Sequence, residues 1–226
     1  MQTYNDDKCF FNLSSDVYFK HFFSNEKVLA VFLSKLWNKN IKLEDIIYDN
    51  TELTSKDGEK DVCEVSASVT LDGYQKEVSL YLEMPYRNIG YLGAKMEHYS
   101  SKKYWKAIEK IGMISLANVE SIWFLGFDEI KDYVNDPNCW YDEVYLRTDE
   151  EKILNKHRCV KMIYLKNKDK CPITEVRKLL ELFDIENKDN LPIVDSEELN
   201  EALNILVDMN NDEVLRAEAF SSAMLK

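Results

Sequence analysis

Glu83 is the residue whose setting most needs a chemical explanation. It closes the apolar run LYLE and is followed by Met84 and Pro85. A carboxylate at the end of an apolar strand needs a cation, a hydrogen-bond donor or solvent, because an unpaired buried charge is costly. A second feature is the segment 94–111, AKMEHYSSKKYWKAIEKI. At about 100° per residue, Lys95, Lys102, Lys106 and Lys110 share much of one helical face. His98, Tyr99, Tyr104 and Trp105 are interleaved with them. Such a face can track phosphates and bind DNA; a solvated, lysine-rich helix face is the simpler reading of the same pattern.

Other chemistries find no support. His21, His98 and His157 are isolated, without the spacing of metal ligands. The five cysteines, Cys9, Cys63, Cys139, Cys159 and Cys171, include no CxxC pair, which argues against a zinc site or a dithiol redox motif. GxxxxGK[ST], GxGxxG and GxSxG are absent, so phosphate-loop, dinucleotide-binding and serine-hydrolase readings have no footing.

The elements that position these residues follow from periodicity. In the segment DVYFKHFFSNEKVLAVFLSKLWN, Ser24 is expected to cap a helix that carries Leu29, Phe32, Leu33 and Leu36. Residues 41–50 fit helix or strand. From 61 to 84 the period changes to two: Val65, Ala67, Val69 and Leu71, then Val78, Leu80, Leu82 and Met84, either side of Asp72-Gly73. This predicts a long antiparallel hairpin. A helix is predicted over 94–111, a doubly covered strand over 119–127, and further strands over 141–147 and 160–165. Helices follow from 173, with Asp195 and Glu198 read as a capping box.

The chain has 226 residues, 45% of them apolar, enough for a sizeable core. No run of about 18 apolar residues occurs, so no membrane span is expected, and the opening MQTYNDDKCFFN does not read as a leader. Scattered thiols point to a reducing compartment, and the expected location is cytoplasmic. The net charge of −12 is opposite to that of most DNA-binding domains. Any nucleic-acid role therefore requires locally clustered cations.

Several stretches resemble the Rpn-type recombination-promoting nucleases, also described as putative transposases, of the PD-(D/E)XK superfamily. They are DVYFKHFFSNEKVLAVFLSKLW, the hairpin ending YLEM, VESIWFLGF, and DSEELNEALNILVDMNNDEVLRAEAF. The resemblance covers most of the chain in the same order. It implies an α/β fold with a restriction-endonuclease-like core: a mixed central sheet flanked by helices and a helical C-terminal part. The corresponding division is a nuclease-like core over 1–172 and a helical extension packed on it over 173–226.

The resemblance also implies chemistry. Two carboxylates on adjacent strands hold Mg2+ or Mn2+, which polarises the phosphate and activates water. Glu83 is implied as the second carboxylate. Asp61 is the implied first, with Glu64 as the alternative if a bulge shifts the register; Asp61 also reads as a solvated residue of DGEKD. A Lys or Gln should follow Glu83 by two positions, on the same strand face. Pro85 stands there instead, with neither a side-chain donor nor an N–H. Lys60, Lys76 and Arg87 are candidate substitutes. The expected function is a metal-dependent DNA endonuclease with an impaired site. The alternative is an inactive nuclease-fold protein that binds DNA or a protein. A homo-oligomer is compatible with either, and a membrane partner is not expected.

Overall fold

The structure, a computed structural model, describes residues 10–48, 63–84, 91–111, 118–126, 138–153 and 155–224. The chain is α/β and forms two compact units, Met1–Asn40 with Cys171–Lys226, and Ile41–Lys170. Asp61, Pro85, Lys60 and Arg87 lie outside the described residues.

The helical unit contains α1 (Asp16–Phe23), α2 (Glu26–Trp37), α4 (Thr174–Glu181), α5 (Glu197–Asn211) and α6 (Glu213–Met224). Two caps fall one residue later than the sequence pattern indicated. Asn25, not Ser24, caps α2 by accepting from Lys27 N, and Ser196, not Asp195, caps α5 by accepting from Leu199 N. Phe19, Phe22, Phe23, Phe32 and Phe183 are buried and pack edge to face or tilted against one another.

A buried side chain fastens the N-terminal segment to α5. Asn210 Oδ1 accepts from Phe11 N at 2.8 Å, and its Nδ2 donates to Phe11 O at 2.9 Å. It thus supplies a donor and an acceptor as a neighbouring strand would. Asn210→Leu is expected to cost about 2 kcal/mol, because both Phe11 backbone groups lose their partner. Urea unfolding checks this as a lowered midpoint at unchanged slope.

The second unit is built on a six-stranded mixed sheet ordered β1-β2-β3-β4-β6-β5. The strands are β1 (Ile46–Tyr48), β2 (Cys63–Leu71), β3 (Tyr74–Glu83), β4 (Asn118–Leu125), β5 (Tyr141–Val144) and β6 (Arg158–Tyr164). Within the ambiguous segment 41–50, Leu43–Asp45 form a short 3-10 turn and Ile46–Tyr48 form β1. β1, β2 and β3 pair antiparallel, whereas β4 is parallel to both β3 and β6. Asp72 and Gly73 have φ of 52° and 81°, as a two-residue turn of type I′ requires.

The pleat sorts the sheet into two faces. One carries the buried Val65, Ala67, Val69, Val78, Leu80, Leu82, Ile122, Phe124 and Ile163. The other faces α3 (Leu92–Ile111), the helix between β3 and β4. There Leu92 and Met96 pack with Tyr81, Trp123, Leu125, Val160, Met162 and Tyr164. Tyr81 stacks on Trp123 with ring centroids 4.4 Å apart.

Candidate functional site

The face under α3 is apolar at one end and polar along the hairpin. Nine consecutive β2–β3 pairs, from Leu71↔Tyr74 to Cys63↔Leu82, form a ladder without a bulge. In this register Glu64, Ser66 and Ser68 lie opposite Tyr81, Ser79 and Glu77. Glu83 has the same parity and shares their face. Glu64 therefore reaches the face of Glu83 without a shift of register, and it is the even-numbered residues of β2 that do so.

Three lysines of α3 descend onto this row. Lys95 Nζ lies 2.6 Å from Glu83 Oε2. Lys103 Nζ lies 2.5 Å from Glu64 Oε1 and 2.8 Å from Ser66 Oγ. Lys110 Nζ lies 3.5 Å from Glu77 Oε1, whose carboxylate also accepts from Ser68 Oγ at 2.7 and 2.8 Å. The spacings explain the match. From Lys95 to Lys110 the helix rises about 22 Å, and from Glu83 to Glu77 the strand covers about 20 Å. A lysine every two helical turns thus keeps step with the carboxylates beneath.

The Lys95 and Lys103 pairs are sheltered, whereas the Lys110 side chain is 54% exposed. The Glu83 side chain is 5% exposed and that of Lys95 20%. Tyr81, between Glu83 and Ser79 on the same strand, has a buried hydroxyl. Burial, followed by the nearby Glu64 charge, raises its pKa well above the ordinary tyrosine value, so it stays protonated.

Of the four lysines grouped by sequence, Lys95 and Lys110 are directed to carboxylates, whereas Lys102 and Lys106 are exposed. Lys103, outside that group, joins the site. Lys76 does not approach Glu83: it has the opposite parity on β3 and pairs with Glu120 at 2.7 Å.

The opposite face holds a second polar network that sequence reasoning missed. Glu120, with its side chain 3% exposed, receives Lys76 and, at 3.0 Å, Lys161. Lys161 lies 3.4 Å from Glu143, which also accepts from the Tyr141 and Tyr145 hydroxyls. The signal was the one that marked Glu83, a lone carboxylate within an apolar run, VESIWFL.

Burial pushes the Cys159 thiol up to about 11, so it is not a nucleophile at neutral pH. Burial alone would raise the Glu143 carboxyl too, but the Tyr141 hydrogen bond, Lys161 and Tyr145 outweigh it and hold its pKa below the ordinary value. Glu143 therefore contributes stability above the unfolded carboxyl pKa and loses it as pH falls through the lower folded value. Thermal unfolding against pH should show an acid limb that Glu143→Gln makes shallower.

No family model, curated protein or solved structure matches this chain.

Mg2+ or Mn2+ is the ion that the resemblance implies. Glu83 and Glu64 offer the hard oxygens such an ion prefers. Both, however, are occupied by ammonium groups, which would repel a divalent cation. Among the described residues, no group of three or more His, Cys, Asp or Glu side chains converges. The described residues thus do not fit a resident divalent ion.

Proposed function

We propose that this chain is a PD-(D/E)XK-type nuclease-fold protein of the Rpn kind, in which metal-dependent DNA hydrolysis is impaired and a binding role remains. The observation that carries this reading is the Lys95–Glu83 ion pair, on the face shared by the Lys103–Glu64 pair. Carboxylates that would gather a cation are neutralised from within by α3. Pro85 adds a second defect, since it offers no group to steady a phosphate or a water. Support for the fold comes from the order of elements: a hairpin, a helix, then a core strand parallel to the return strand of the hairpin.

The same ion pair favours one other reading, in which Lys95 supplies from α3 the cation that position 85 lacks. A nicking assay on supercoiled plasmid with Mg2+ or Mn2+ separates the two. The impaired reading expects no cleavage above that of Glu83→Gln. Cleavage abolished by both Glu83→Gln and Lys95→Met would establish the working enzyme instead.

A further inference from the structure

One stripe of α3 is turned away from the sheet. Tyr91, just ahead of the helix, His98 and Trp105 are spaced by seven residues, so they lie nearly in line, about 10.5 Å apart. All three are exposed, Tyr91 by 71% and Trp105 by 62%. Lys102 and Lys106 flank Trp105, are exposed as well, and form no ion pair with a described residue. Beside Lys106 a cavity of about 50 Å3 opens between α3 and β3, lined by Glu77, Ser79, Lys103, Lys106 and Lys110 among others. Among the described residues of α3, the acidic ones on the outer side are Glu97, held by Arg158 at 2.9 Å, and the exposed Glu109. A local excess of positive charge thus surrounds an open indole in a chain of net charge −12.

We propose that this face binds single-stranded nucleic acid, with a base stacked on Trp105 and backbone phosphates on Lys102 and Lys106. The proposal rests on the nuclease-fold reading for its choice of polyanion, and it names the form of nucleic acid. Charge complementarity selects a polyanion, because Lys102 and Lys106 are cations committed to no carboxylate among the described residues. The indole selects unpaired bases: a duplex hides its base faces, whereas a single strand offers them to an aromatic platform regardless of sequence. The cavity is too small for a base or a sugar, which leaves the bases outside it, on the stripe.

The test is fluorescence anisotropy in EDTA, where no hydrolysis occurs, with labelled oligo-dT, an abasic oligomer of equal length, and a duplex. Wild type should prefer oligo-dT to both others. Trp105→Ala, an exposed substitution that circular dichroism should show to be folded, is expected to weaken oligo-dT binding roughly tenfold. Its salt dependence and abasic binding should not change. Lys102→Glu with Lys106→Glu should weaken all three and flatten the salt dependence. Unchanged oligo-dT affinity in Trp105→Ala would overturn the proposal. So would tightest binding to the duplex, or equal competition by poly-glutamate, which would mark a face for acidic proteins. Because the assay excludes metal, its failure is independent of the nicking result: a chain that never nicks can still pass, and one that nicks can still fail.

Discussion

Combining Pro85→Lys with Lys95→Met is expected to raise Mg2+-dependent plasmid nicking by roughly 10²–10³-fold over wild type, the effect of one well-placed donor at a reacting phosphate. Either change alone should give much less. Pro85→Lys restores a cation two positions after Glu83, yet leaves Glu83 held by Lys95 at 2.6 Å. Lys95→Met frees the carboxylate but leaves nothing at position 85 to steady a phosphate. The gain must vanish when Glu83→Gln is added. A Pro85→Lys variant as active as the combination would show that Lys95 is no obstacle. A folded combination that binds metal and remains inactive would place the defect elsewhere and leave binding as the whole function.

Lys95→Met is itself expected to destabilise the protein by about 2–3 kcal/mol. Removing one partner of a buried ion pair costs about 3–5 kcal/mol, because the other charge stays behind without compensation. The lower figure applies here because Lys95 retains 20% exposure while Glu83 retains 5%. For a chain of this size the loss corresponds to about 5–10 °C in Tm. Lys95→Met with Glu83→Gln should recover most of it, since no lone charge then remains. Millimolar Mn2+ should also recover part of the loss in the single variant, by occupying the vacated carboxylate, and none in the double. A single variant as stable as wild type would mean that Glu83 finds another partner.

The hairpin was legible in the sequence because its determinants are local. Alternation fixes the two faces, and Asp72-Gly73 fixes the turn through backbone conformations at positive φ. The parity that puts Glu64 beside Glu83 follows from the same two facts, without a bulge. What was not legible depended on docking. Helical periodicity groups Lys95, Lys102, Lys106 and Lys110, but it cannot say which flank of α3 leans toward the strands. Once the helix lies on Tyr81 and Trp123, Lys95, Lys103 and Lys110 reach carboxylates, while Lys102 and Lys106 stay outside. β1 was ambiguous because its three residues owe their conformation to pairing with β2 rather than to any pattern of their own. Likewise, the association of α1 and α2 with the C-terminal helices rests on contacts such as Asn210 to Phe11, far apart in sequence.

The neutralisation of Glu83 by Lys95 is tested most directly by titrating the wild-type protein with Mn2+ in a calorimeter, with Glu83→Gln as the reference. The internal ion pair predicts no binding tighter than the millimolar range and no difference between the two proteins. Micromolar binding in wild type that disappears in Glu83→Gln would contradict it, and would show that the carboxylate gathers a metal despite the lysine at its side.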